Sequence, residues 1–289
     1  MKQPLGLLGV GLVGRALIGR LRTAGFAVCA YDPAPASRQH VIGLGAEWIE
    51  SEREVARTCR RVILSLPGPA EVRAVMDLIA AELRPGDLMI DTTTGDPKDV
   101  EAFARLLAER QVWYLDATLG GSSRQIATGE AIVICGGPDA GFSEAAPILH
   151  SISDRVFHTG PPGSGTRMKL VLNLVLGLQR AVLAEALEFA NRFEIEPDRA
   201  LTILKASPAY ATVMDTKGEK MLRGDFHPEA RLAQHAKDVR LMLQCGMENG
   251  AFLPLTRVHD GLLREAVARG WGPEDNSAII KLFQRGGTS

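Results

Sequence analysis

Residues 4–32 read PLGLLGVGLVGRALIGRLRTAGFAVCAYD. A short apolar run over 5–9 passes directly into Gly9-Val10-Gly11-Leu12-Val13-Gly14. A helical pattern follows over 13–24, then a second apolar run over 27–31 that ends at Asp32. Glycines at this spacing permit a tight turn, close approach of the backbone to a pyrophosphate, and close packing of helix on strand. The start of the helix presents unbonded N–H groups and a partial positive charge to those phosphates. GxGxxG alone is a weak signal. Here it sits between a strand and a helix, with Asp32 lying 18 residues after Gly14, and that context makes it a dinucleotide site built from Gly9, Gly11, Leu12, Val13 and Gly14. A carboxylate at Asp32 suits the hydroxyls of an adenosine ribose and repels an added phosphate, so NAD is favoured, with NADP possible through Ser37 and Arg38.

The alternation continues. Apolar runs over 62–66, 88–91, 113–116 and 131–135 read as strands buried on both faces, with amphipathic helices between them, for example over 69–82. Strand, helix, strand repeated in this way predicts a Rossmann-type, doubly wound parallel sheet. After about residue 160 the pattern becomes helical throughout. A long helix over about 166–193 would follow the loop HTGPPGSG, with further helices over 197–206, 211–222, 229–249, 254–269 and 273–284. The expected organisation is an α/β dinucleotide-binding domain over 1–162, and a long connecting helix plus an all-α domain over 163–289.

Composition narrows the function. A formal charge of −1 shows no excess that would suit nucleic acid or an anionic membrane. Cys29, Cys59, Cys135 and Cys245 are scattered, which suits reduced thiols in a cytoplasmic protein, and the six histidines form no metal-binding pattern. The apolar stretch over 170–179 lies between Lys169 and Arg180, too short to span a bilayer by itself.

Loops after strands in such a sheet face the ligand, which singles out Leu66 and Pro67, and the run Asp91-Thr92-Thr93-Thr94. Lys169 and Asn173 are spaced i, i+4 and share a face of the long helix, with Gly177 continuing that face and leaving room for an approaching group. A lysine in a desolvated cleft suits proton transfer; the alternative is a lysine that snorkels to solvent from a helix end. Asp116-Ala117-Thr118-Leu119-Gly120-Gly121-Ser122-Ser123 follows a strand and reads as a glycine-rich turn whose N–H groups can hold a carboxylate, or as an ordinary turn. Lys237-Asp238 alone reads as a solvated charge pair.

Taken in order, these motifs resemble those of the β-hydroxyacid dehydrogenase family, which includes 3-hydroxyisobutyrate dehydrogenase and tartronate semialdehyde reductase. GLLGVGLVGRALIGRLRTAG, IDTTTGDP, DATLGGSSRQIATG, GSGTRMKLVLN and KDVRLML carry the resemblance, which spans essentially the whole chain. It implies hydride transfer between a nicotinamide cofactor and a β-hydroxy acid or its semialdehyde, with a homodimeric or homotetrameric assembly. It also implies that Lys169 is the acid/base and Asn173 its substrate-side neighbour. Leu66, Pro67 and Thr94 would line the cofactor, and Lys237 would reach it from the helical domain. Gly120, Gly121 and Ser122 would meet the substrate. Asp275, in GPEDNSA, is similar to a further family motif. One departure concerns the substrate: Gly120 stands where the family usually has serine, so either Ser122 or Ser123 compensates or the substrate differs. Imine reductases resemble the same architecture but usually lack the lysine. Phosphogluconate dehydrogenase-like enzymes share the Lys and Asn pattern but carry a longer helical domain. A non-catalytic nucleotide-binding module would keep the fold without needing Lys169.

Overall fold

A computed structural model describes residues 3–284. The chain divides into two compact units, Met1–Lys169 and Leu170–Ser289. The first unit carries strands β1 (Leu5–Leu8), β2 (Val28–Tyr31), β3 (Glu47–Trp48), β4 (Arg61–Leu64), β5 (Leu88–Asp91), β6 (Trp113–Gly120), β7 (Ile132–Gly136) and β8 (Val156–His158). Its helices are α1 (Leu12–Thr23), α2 (Ser37–Gly43), α3 (Glu52–Thr58), α4 (Pro69–Ile79), α5 (Pro97–Ala108), α6 (Ser123–Thr128) and α7 (Asp139–Ile152). Helix α8 (Ser164–Arg192) starts in this unit and continues into the second. There follow α9 (Pro197–Ala206), α10 (Glu219–Arg223), α11 (Leu232–Glu248), α12 (Pro254–Ala268) and α13 (Ile280–Gln284).

The strands form one eight-stranded sheet in the order β3-β2-β1-β4-β5-β6-β7-β8. The runs are continuously apolar because both faces are covered. Leu5, Leu7, Val28, Ala30, Ile63 and Ile90 pack on one side with Leu17, Ile18 and Leu21 of α1 and Ile148 and Leu149 of α7. Leu8, Cys29, Val62, Leu64 and Met89 pack on the other with Val55 of α3, Val72 and Met76 of α4, and Leu107 of α5. The four cysteines are free thiols, three of them buried, and no metal-ligand cluster occurs among the described residues.

The doubly wound α/β unit and the helical second unit match the sequence expectation, with local differences. Strands β3 and β8, of two and three residues, are too short to show a pattern. β7 pairs antiparallel with β6, so the sheet is not wholly parallel. β6 runs on to Gly120, so Asp116 to Gly120 are strand and the turn begins only at Gly121. In the helical unit, the expected helix over 211–222 is a π-turn, Met214–Gly218, leading into α10. The one expected over 273–284 begins as a 3-10 turn, Asn276–Ile279. By length and composition alone α8 is long and apolar enough to cross a membrane, as core helices of soluble proteins also can be, with a mean hydropathy of 1.6 over its most apolar window and 44% of that window buried in the protein. Lys169 and Arg180 do not delimit it, because both side chains are buried along the helix.

The helical unit closes over Leu183, Leu187, Leu201, Leu232, Val239, Met242 and Leu263. Asp275 shapes the chain's return after α12. Its buried carboxylate meets Lys217 Nζ at 2.8 and 2.9 Å and accepts the N–H groups of Ser277 (3.1 Å), Glu229 (3.0 Å) and Ala230 (3.2 Å). Asp275 is therefore a structural clasp within the helical unit. Burial pushes its carboxyl up, but Lys217 and the backbone donors outweigh this and hold it at about 2. An unfolded aspartate titrates near 3.9. The folded value lies below that, so the stabilisation is present above about pH 4 and lost as pH falls from about 4 to about 2. Asp275→Asn should lower the unfolding free energy at pH 7 by about 3–5 kcal/mol. It should also flatten the acid limb of stability between about pH 4 and 2. Denaturant unfolding at several pH values tests both, and an acid limb unchanged in the variant would refute the assignment.

Candidate active site

The glycine turn is constrained by close backbone contacts. Gly9 has φ +97°, and a Cβ there would lie 2.2 Å from the Ser65 carbonyl oxygen. A Cβ on Gly14 would lie 2.1 Å from the Gly9 carbonyl oxygen, so the first turn of α1 rests directly on β1's end. Gly11 differs: a Cβ would meet nothing within 4 Å. It caps α1 without a side chain, and the helical ladder begins with Arg15 N–H donating to Gly11 O at 3.0 Å. The N–H groups of Leu12, Val13 and Gly14 precede that ladder. Two glycines thus make the turn and the third leaves its outer side open, a cradle that fits a pyrophosphate.

Asp32 follows β2 and braces the same turn. Its Oδ2 accepts Val10 N–H at 2.7 Å and its Oδ1 accepts Ala34 N–H at 2.8 Å. Each oxygen keeps a further lone pair for a ribose hydroxyl. Arg38 is ion-paired with Glu50 at 3.3 Å, and Ser37 is buried. Leu66 and Thr94, both half-buried, and the exposed Pro67 lie in the loops after β4 and β5. Leu66 N–H donates to Thr93 Oγ1 at 3.1 Å, which ties the two loops together.

The start of α8 is fixed by Asp116, within β6. Its Oδ1 accepts Gly163 N–H at 2.9 Å and its Oδ2 accepts Thr166 N–H at 2.6 Å. The carboxylate therefore serves two of the N–H groups that a helix start leaves unbonded. Burial raises the Asp116 pKa, and the Gly163 and Thr166 donors oppose that rise. The glycines of the GSG run have separate functions. Gly163 has φ +87°, and a Cβ on Gly165 would lie 2.6 Å from Asp116 O and 2.7 Å from Gly136 N. A Cβ on Gly136 would in turn lie 2.7 Å from Gly165 N. The helix start is pressed onto β6 and β7 at a distance only glycine allows.

One turn on, Lys169 is 8% exposed and its Nζ donates to Leu119 O at 2.5 Å. It is a buried lysine held against β6 next to Gly120, and it does not snorkel to solvent. Gly120 ends the strand, Gly121 has φ +156°, and Ser122 caps α6. Ser122 Oγ accepts Gln125 N–H at 3.3 Å while its own N–H donates to Gln125 Oε1 at 2.9 Å. Its hydroxyl oxygen is thus an acceptor in a capping box, while its O–H remains a donor.

In the helical unit, Asn173 Nδ2 donates to Asp238 Oδ2 at 3.0 Å, and Lys237 Nζ lies 3.5 Å from Asp238 Oδ1. Asp238 is buried, so the pair is not a solvated one. Gly177 does not leave open room: a Cβ there would lie 2.4 Å from His235 Nε2 and 2.7 Å from His259 Cε1, so the imidazoles fill that side of α8. Burial lowers the His259 pKa to about 4, with the Arg180 charge adding to the effect. The sequence reading missed the use of Asp116; its only sequence signal is an aspartate placed inside an apolar strand.

Gly165→Ala should cost about 1–3 kcal/mol of stability, as an added methyl in a closed contact does. Denaturant unfolding measures this, and an unchanged midpoint would show that α8 does not rest on β6 and β7 this closely.

Comparison with known proteins shows the family. Residues 4–160 match the model of the NAD-binding domain of 6-phosphogluconate dehydrogenase. Residues 163–283 match that described as the NAD-binding region of NADP-dependent 3-hydroxyisobutyrate dehydrogenase. The chain is 29% identical to 2-(hydroxymethyl)glutarate dehydrogenase of Eubacterium barkeri, covering 97% of this chain and 95% of that one. It is 29% identical to L-threonate dehydrogenase of Cupriavidus necator, covering 98% and 97%. The crystal structure of 3-hydroxyisobutyrate dehydrogenase from Salmonella typhimurium superposes with a TM-score of 0.89 at 26% identity, covering 96% of this chain and 99% of that one. The chain belongs to the β-hydroxyacid dehydrogenase family, the NAD(P)-dependent oxidoreductases that act on the CH–OH group of hydroxy acids.

Proposed function

We propose that Lys169 is the proton carrier of this dehydrogenase, and that the substrate is a small β-hydroxy acid or the corresponding semialdehyde. The observation that supports this best is the hydrogen bond from the buried Nζ to Leu119 O, 2.5 Å long, next to Gly120. A lysine amine donates to that carbonyl in either protonation state, so the bond fixes Nζ without consuming its lone pair. In the oxidative direction the substrate hydroxyl gives its proton to Nζ as the carbon loses hydride; reduction runs the same transfer backwards. The bound nicotinamide supplies the hydride acceptor or donor. The backbone at Gly120, Gly121 and Ser122 receives the substrate carboxylate, and Asn173, held by Asp238, orients the substrate. The name of the Eubacterium barkeri relative describes such an acid, with a hydroxymethyl group beside a carboxylate-bearing chain.

Lys169→Ala should lower turnover by at least about 100-fold, the lower end for an acid–base group. The assay is nicotinamide absorbance with a panel of β-hydroxy acids and semialdehydes. Affinity for the dinucleotide, measured by fluorescence titration, should stay nearly intact. Undiminished turnover would overturn the role of the lysine.

The preferred dinucleotide is NAD. Asp32 follows β2 directly, a position at which a carboxylate would accept the adenosine ribose hydroxyls and repel the 2′-phosphate of NADP. Asp32→Ala should therefore weaken NADH binding and improve NADPH relative to it. Tighter binding of NADPH by the wild type would contradict this preference.

A further inference from the structure

Beneath the two loops that follow β4 and β5 lies a buried polar chain that the reaction does not consume. Asp91, the last residue of β5, is 2% exposed. Its Oδ2 accepts the Tyr114 hydroxyl at 2.7 Å and its Oδ1 accepts Thr93 N–H at 2.8 Å. Thr93 Oγ1 then accepts Leu66 N–H at 3.1 Å. Tyr114, on β6, is itself 2% exposed and packs on Phe103 of α5 with ring centroids 6.0 Å apart. A tyrosine rooted in the core thus connects, through one carboxylate and one threonine, to the backbone of both loops. Leu66 is a direct member of the chain, and Pro67 and Thr94 are each one residue from it.

We propose that Tyr114, Asp91 and Thr93 are positioning residues for the dinucleotide, acting as a latch that fixes the loops carrying Leu66, Pro67 and Thr94 in their binding geometry. None of the three is proposed to touch the reacting atoms. The inference rests on the reading of those loops as the cofactor's lining. Two further facts fit a latch better than simple filling of the core. Burying an aspartate inside a sheet is costly, and here burial pushes the Asp91 carboxyl up to about 6 against the pull of its Tyr114 and Thr93 donors. Its two oxygens accept from both donors at once. Asp91 also pairs in register with Asp116 on the neighbouring strand. Adjacent strands thus carry one carboxylate directed to the β4 and β5 loops and one directed to the start of α8.

The test uses the full chain and titrates NADH and NADPH by fluorescence, with kcat measured at saturating cofactor. Tyr114→Phe and Thr93→Val keep shape while removing one link each. Each should weaken dinucleotide affinity about tenfold, which corresponds to about 1.4 kcal/mol, while kcat at saturation stays within about threefold. Asp91→Asn keeps a carbonyl for Thr93 N–H but leaves the Tyr114 O–H without its acceptor, so it should weaken affinity about as much as Tyr114→Phe. Asp91→Ala should lose more than either conservative variant. If Tyr114→Phe and Thr93→Val only lower the melting temperature and bind both dinucleotides like the wild type, the latch is refuted and the chain is merely structural. A wild type that binds neither dinucleotide would instead refute the reading of the loops themselves.

Discussion

The carboxylate of Asp116 fixes where α8 starts on β6. It lies inside a strand, where it would be an expensive burial, and it is satisfied by the N–H groups of Gly163 and Thr166 at 2.9 and 2.6 Å. A helix start needs acceptors, and a buried carboxylate needs donors. Each requirement meets the other here, and the result pins the first turn of α8 to β6. Three residues after Thr166, Lys169 is brought back to the same strand and bonds Leu119 O. Fixing the helix start at Asp116 fixes the height of the lysine, and fixing the lysine at Leu119 places its Nζ beside Gly120.

The glycines around this contact follow from it. Gly165 and Gly136 approach so closely that a methyl on either would overlap backbone, and Gly163 takes a positive φ to turn the loop into the helix. The GSG preceding the lysine is therefore a packing requirement. Gly9 and Gly14 make the corresponding approach at the turn after β1, where the Gly9 and Ser65 carbonyls exclude any side chain. Both places where the unit meets small molecules in the proposed scheme are built from backbone in close contact.

Much of this was legible in the sequence. The GVGLVG turn, Asp32, the apolar strands and the i, i+4 spacing of Lys169 and Asn173 are local patterns, and local patterns survive folding. What was not legible depends on partners far apart in the chain. Asp116 and Gly163 are 47 residues apart, and Tyr114 and Asp91 are 23 apart; no period or spacing announces either pair. β3 and β8 were invisible because their few residues pair only at the sheet's margins. The glycines of DATLGG suggested a turn from the aspartate onward, but pairing with β7 keeps the segment extended to Gly120. Gly177 suggested open space on α8, and only tertiary packing shows it filled by two histidines from α11 and α12.

The central claim is that β6 and α8 together hold Lys169 Nζ where a substrate hydroxyl must lie. A crystal structure of the chain with NAD and a small β-hydroxy acid tests it most directly. The account predicts the substrate hydroxyl oxygen at hydrogen-bond distance from Lys169 Nζ, roughly 2.6–3.2 Å, with its carboxylate against the backbone at Gly120 and Gly121. A hydroxyl placed against another acid or base, with Lys169 still bonded to Leu119 and out of reach, would contradict it.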